Sequence, residues 1–175
     1  VTYACTITAT NTGGTGPASA PVNVTPITLS LTAAASVLVH ATVGEAALPI
    51  DPLIPVTGAI SVDPRPAAGS RVLRFQFDAP VSSVSGASAV NAANAPIGMI
   101  RTAVAGNDIV VTMDDIPDAT RVKITLPVIN GANLNTVASV GFLVGDVSAS
   151  GVVSAADIAA IKARINAPVT AQNGN

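Results

Sequence analysis

Between Arg71 and Asp78 the chain reads Arg-Val-Leu-Arg-Phe-Gln-Phe-Asp, so that Leu73, Phe75 and Phe77 point one way and Arg74, Gln76 and Asp78 the other. A period of two belongs to a strand with one buried face, and such a strand has to sit in a sheet that covers that face. The pattern returns at residues 83–90, 97–104 and 109–113, where Ile109, Val111 and Met113 share a side. It returns again at 121–126, with Val122, Ile124 and Leu126, and at 139–144. Gly106-Asn107 ahead of the 109–113 segment is a hairpin turn signal. Earlier in the chain, residues 27–31 alternate, and 33–43 read as another strand or an extended crossover. Residues 49–66 read as mostly loop, punctuated by Pro49, Pro52, Pro55, Pro64 and Pro66, with a short strand over 59–62. Strands at this spacing predict an antiparallel β-sandwich over residues 27–144, with Leu73, Phe75, Phe77, Ile109, Val111, Val122, Ile124, Leu126 and Phe142 between its sheets.

Composition agrees with a sandwich and removes several function classes. Half of the 175 residues are hydrophobic, enough to bury a core, but the apolar surface comes from Ala, Val and Ile. Tyr3, Phe75, Phe77 and Phe142 are the whole aromatic set. Eight basic and ten acidic residues are spread without runs, so no basic stripe exists to neutralise phosphates, and nucleic-acid binding is not expected. No stretch is long and apolar enough to span a bilayer; the nearest, residues 29–43, is short and contains His40. The sequence begins at Val and shows no basic leader, so an export signal would lie upstream or have been removed. Low charge with abundant Ser and Thr fits a secreted or cell-surface protein.

Residues 1–26 form a separate passage. Tyr3, Cys5, Ile7 and Ala9 alternate with threonines, Asn11-Thr-Gly-Gly-Thr-Gly16 supplies a turn, and a second strand is expected around Val22 and Val24. The Tyr-x-Cys spacing resembles the tyrosine corner of an immunoglobulin-like strand, and the hairpin resembles the last two strands of an immunoglobulin-like or fibronectin type III repeat. A two-stranded ribbon is marginal by itself, so this one is expected to dock on something. Cys5, the single cysteine, reads as a small buried hydrophobe.

Chemistry enters at residues 145–164. Counted from Asp146, the oxygen-ligand positions 1, 3, 5, 7, 9 and 12 of a calcium loop hold Asp146, Ser148, Ser150, the Val152 carbonyl, Ser154 and Asp157, with Gly151 at the sharp turn. Ser154 and Asp157 also have capping-box spacing, a reading that needs no metal. Ile158, Ile161 and Ile165 then recur on one helical face, with Lys162 and Arg164 near the helix end where they suit its dipole.

This loop and helix resemble one half of a dockerin, the module that plugs a secreted protein into a cohesin receptor. The resemblance covers residues 145–175 and implies bound calcium and a cohesin-like protein partner. Ser148 and Ser150 replace the usual Asn or Asp, which leaves two carboxylates and predicts weak affinity. Residues 168–175 do not repeat the loop. No linker separates residues 141–146 from the sandwich, so the helix is expected to pack against it.

For function, the lone His40 and Cys5 lie far apart and offer no triad, and Asp114, Asp115 and Asp118 read as turn residues bonded to local backbone. An enzyme is not expected. The expectation is an extracellular structural or assembly protein acting through protein–protein contacts. One alternative is a fibre subunit that donates its N-terminal hairpin to another copy of itself. Another is a carbohydrate-binding or adhesion module, against which the scarcity of exposed rings speaks.

Overall fold

The computed structural model describes residues 2–24, 28–40, 44–66 and 69–167. In chain order the described residues form β1 (Tyr3–Cys5), β2 (Thr10–Asn11), β3 (Gly14–Thr15), β4 (Val22–Val24), β5 (Leu31–His40), β6 (Gly44–Ile50) and β7 (Val62–Asp63). They continue with β8 (Ser70–Phe77), β9 (Val84–Ser85), β10 (Ser88–Asn91), β11 (Met99–Ala105), β12 (Asp108–Asp114), β13 (Thr120–Ile129), β14 (Ala132–Phe142) and α1 (Ala155–Lys162).

The long strands make two five-stranded sheets. One runs β11-β12-β8-β5-β6 with every pair antiparallel; the other runs β10-β13-β14-β7, with β9 also on β13. Alternation sets which side chains meet. On β8 and β12, Phe75 sits opposite Ile109 and Leu73 opposite Val111; on β13 and β14, Val122 pairs with Val140 and Ile124 with Ala138. Leu73, Phe75, Phe77, Ile109, Val111, Val122, Ile124, Leu126 and Phe142 are all buried, in one cluster with Met113, Ile129, Ala138 and Val140. The core expected from the period-two pattern is therefore the core of the fold.

Turn chemistry fixes the registers. Gly106 and Asn107 form the two-residue link between β11 and β12, with Ala105 opposite Asp108. Asn130 and Gly131, at φ of 51° and 76°, turn β13 into β14 as two left-handed residues must in a tight hairpin. The Asn130 side chain accepts from the Ser82 and Ser83 backbones and donates to the Pro80 carbonyl, tying this turn to the loop between β8 and β9. Gly98 is at φ 64°, and a Cβ there would lie 2.4 Å from the Ile116 side chain and 2.5 Å from the Asp114 carbonyl, so only glycine fits.

Four expectations need correction. The sandwich is mixed rather than wholly antiparallel, because β7 returns from the Pro-rich loop to run parallel to β14, with Val62 beside Gly141. Residues 49–50, expected as loop, end the strand β6; Pro49 is tolerated because β6 is the sheet's edge, where a missing N–H breaks no ladder bond. Residues 83–90 are two short strands, β9 and β10, and residues 28–30 lie outside any strand; Ile27 lies outside the described residues. The ribbon does form, with Tyr3 opposite Val24 and Cys5 opposite Val22, and β2–β3 at its tip. Every residue from 2 to 24 is nevertheless exposed. Tyr3 and Cys5 are accordingly not core residues, because among the described residues no second layer covers the ribbon.

Candidate cation site

The C-terminal loop begins at the end of β14 and is pinned to the sandwich by backbone. The Leu143 N–H donates to the Asp63 carbonyl at 3.2 Å, and the Gly145 N–H to the Pro64 carbonyl at 2.9 Å. Asp118 accepts from the Val144 N–H at 2.8 Å. That bond reaches a residue 26 positions along the chain, so Asp118 does not bond local backbone as expected but ties its turn to the end of β14; Asp114 pairs with Arg101 and accepts from the Ser70 hydroxyl.

From Asp146 onward the chain coils around two carboxylates. Asp146, fully buried, accepts through Oδ1 from the Ser150 N–H at 3.0 Å and through Oδ2 from the Gly151 N–H at 2.7 Å. The hydroxyls of Ser148 and Ser150 each lie 3.3 Å from Asp146 Oδ1, and the Ser150 hydroxyl donates to the Val152 carbonyl at 2.9 Å. Asp157, 1 % exposed, accepts through Oδ1 from the Ser148 N–H at 2.9 Å and through Oδ2 from the Ser154 N–H at 2.7 Å. The Ser154 hydroxyl is 3.1 Å from the same Oδ2 and accepts from the Ala156 N–H, completing the capping box that starts α1. Gly151 has φ 84°, the left-handed turn its position requires.

The six residues expected to supply ligands fall in two hydrogen-bonded groups, Asp146 with Ser148, Ser150 and Val152 and Asp157 with Ser154, linked through Ser148, whose hydroxyl bonds Asp146 and whose N–H bonds Asp157. Oxygen–oxygen separations of 2.9–3.3 Å among Asp146, Ser148, Ser150 and Val152 are hydrogen-bond lengths, and are of the same order as the roughly 3 Å between neighbouring oxygens around a hard cation. Electrostatics points the same way. The ion pairs among the described residues join Arg65 to Asp63, Arg74 to Glu45 and Asp108, and Arg101 to Asp114, and none reaches Asp146 or Asp157. Backbone N–H bonds from Ser148 and Ser154 hold the Asp157 carboxyl well below the usual carboxylate range, against the opposing effect of burial. The site therefore contains an ionised, buried carboxylate beside a second buried carboxyl, with no lysine or arginine paired to either. Among the described residues no three His, Cys, Asp or Glu side chains converge, so the remaining donors are neutral oxygens.

The helix departs from expectation. Ile158, Ile161 and Ile165 are 55, 49 and 62 % exposed, and only Asp157 of α1 is buried. The loop docks through backbone bonds, while the isoleucine face leaves a groove beside the sandwich instead of filling it. His40 ends β5, and its side chain lies outside the described part; residues 168–175 also lie outside it.

A second polar cluster had no sequence signal at Asp63 and Arg65. Asp63 accepts from the Ser36 hydroxyl at 2.5 Å and from Arg65 through Nε at 2.8 Å and Nη2 at 2.9 Å, while Arg65 also donates to the carbonyls of Ala46 and Ser36. Arg71 donates to the Arg65 carbonyl at 2.5 Å and lies 4.6 Å above the Phe142 ring. Asp63, Arg65, Ser36 and Arg71 are all buried. Since β7 carries Asp63, this cluster underlies the strand to which the loop is pinned. No family model, no curated protein and no solved structure matches this chain.

Proposed function

We propose that the chain is a secreted, non-enzymatic assembly module: an immunoglobulin-like sandwich whose C-terminal loop-helix is held in shape by calcium and presented to a protein partner. The observation that carries this reading is the pair of buried carboxylates, Asp146 and Asp157, coiled into a loop with calcium-ligand spacing and lacking a cationic partner. Loop N–H groups already stabilise these charges, and a cation would add the opposite charge that no ion pair among the described residues supplies. The residues that would hold the ion are Asp146, Ser148, Ser150, the Val152 carbonyl, Ser154 and Asp157. When bound, calcium would supply a positive charge in direct contact with the carboxylates, whereas the Arg121 guanidinium beside Gly151 donates to the Val56 and Gly58 carbonyls. The residues' own part is to close the loop and start α1, so that its isoleucines face outward for a cohesin-like receptor.

Adding millimolar calcium should then raise the melting temperature over that in chelator, and Asp146→Ala should remove the difference. Identical melting curves in calcium and chelator would leave the capping box alone to explain the loop.

A second reading, a fibre subunit, is favoured by the ribbon. Residues 1–26 contain no Asp, Glu, Lys or Arg, and the apolar face formed by Tyr3, Cys5, Val22 and Val24 is exposed. Strand edges without charged guards pair readily with other sheets. On this reading the full chain sediments as polymers and a chain lacking residues 1–26 as a monomer. A monomeric full chain, or polymers that survive the deletion, would dismiss it.

A further inference from the structure

Building on the interaction-module reading above, we propose that the groove between α1 and strands β6 and β7 receives an aliphatic, acid-bearing segment of a protein partner. The groove is about 560 Å³, within the range of ligand-sized clefts. Leu48 of β6, Val62 of β7 and Pro64 line the sandwich side; Ile161 and Ile165 line the helix side. About half of each isoleucine surface remains open to solvent, so the groove is apolar yet unfilled. Its shape follows from how the loop docks. Backbone bonds from Leu143 and Gly145 hold the loop against β7, whereas the side chain that α1 buries, Asp157, is turned into the loop rather than against the sheet.

Charge selects the occupant. Arg164 lines the groove, Lys162 lies on the same last turn, and both are exposed. Neither appears in an ion pair with a described residue. Asp146 also lines the groove, but it and Asp157 are buried and turned toward loop N–H and hydroxyl donors, which leaves Arg164 and Lys162 as the exposed charges at the helix end. An aliphatic segment flanked by Glu or Asp would therefore bury its side chains against Ile161, Ile165, Leu48 and Val62 and place its carboxylates at Arg164 and Lys162. The ribbon of a second copy is a poorer fit, because residues 1–26 contain no Asp or Glu.

The test uses two synthetic helical peptides of about four turns with identical leucines at i, i+3, i+4 and i+7, one carrying Glu and the other Lys at the remaining positions. Binding to the full chain is read by fluorescence polarisation, in calcium and in chelator. The Glu peptide should bind at least about tenfold more tightly than the Lys peptide. Ile161→Ser should weaken it by a similar factor, and Arg164→Glu should reverse the preference between the two peptides. Both substitutions are at exposed positions, and an unchanged melting temperature verifies that each variant is folded. Equal binding of both peptides, binding of neither, or insensitivity to both substitutions would overturn the proposal. Self-association of the full chain that Ile161→Ser abolishes would overturn it too, in favour of a second copy in the groove. Peptide binding that is normal while calcium gives no thermal shift would instead remove the calcium reading and leave the groove intact.

Discussion

Asp63→Ala should destabilise the protein by about 3–5 kcal/mol, because it strands the Arg65 guanidinium among buried groups without its anion. Asp63 and Arg65 are 3 and 4 % exposed and joined by two bonds along the Nε–Nη2 edge of the guanidinium, so water cannot replace the lost partner. A double variant, Asp63→Leu with Arg65→Met, should recover part of the loss by removing both charges. It should not recover all of it, since the Ala46 and Ser36 carbonyls lose the donors that Arg65 supplied. The pH dependence carries its own sign. Burial acts to raise the Asp63 carboxyl, but hydrogen bonds from Arg65 and Ser36 and the charge of Arg65 outweigh it and leave the group below its ordinary value. A carboxyl lowered in the folded state contributes its full stability above the unfolded value of about 3.9 and loses it as pH falls through the folded value. Denaturant melts should show this contribution constant from neutral pH to about 5, declining below about 4, and absent from Asp63→Asn. A variant as stable as the parent at neutral pH would mean that the cluster is not holding β7.

Phe75→Ala should cost a comparable amount, about 3–5 kcal/mol, through lost burial and the cavity left behind. Phe75 has no exposed surface and lies in the middle of β8, flanked by Ile109 across one strand pair and Ala34 across the other. Its strand neighbours are β-branched Ile109 and small Ala34, which leave little freedom to collapse into the space. Urea melts read the loss directly, and Phe75→Leu should retain most of the stability. A loss below about 1 kcal/mol for the alanine variant would contradict the placement of this side chain in a close-packed core.

Much of the fold was legible because a period of two maps one-to-one onto buried and exposed faces. Leu73, Phe75 and Phe77, with Ile109, Val111 and Met113, declare their face without any knowledge of partners, and Gly106-Asn107 declares the turn between two of their strands. The loop was legible for a different reason: Asp146, Gly151 and Asp157 are fixed in number along the chain, and such a loop closes through short-range backbone bonds. What was hidden depends on pairing between distant residues. β6 has Pro49 in it and becomes a strand only because β5 lies beside it, and β7 takes its parallel direction from β14. Buried Asp63 and Arg65 sit in a Pro-rich stretch whose local pattern reads as loop, so nothing short-range marks them as interior, although the alternation of β8 does place Arg71 on the face of Leu73, Phe75 and Phe77. The exposed state of Tyr3 and Cys5 was hidden as well, since an alternating ribbon specifies which face is apolar but not whether a second layer covers it. The same holds for Ile158, Ile161 and Ile165, whose spacing marks a face that the sandwich leaves uncovered.

The central claim, that the C-terminal loop is a calcium site rather than a helix cap alone, is tested most directly by titrating calcium into the full chain in a calorimeter beside its Asp146→Ala variant. The account predicts a saturable heat with one ion per chain in the weak range typical of extracellular modules, a dissociation constant of about 10⁻⁴–10⁻³ M, and no such heat from the variant. An absence of heat from the parent chain at millimolar calcium, or the same heat from Asp146→Ala, would contradict it.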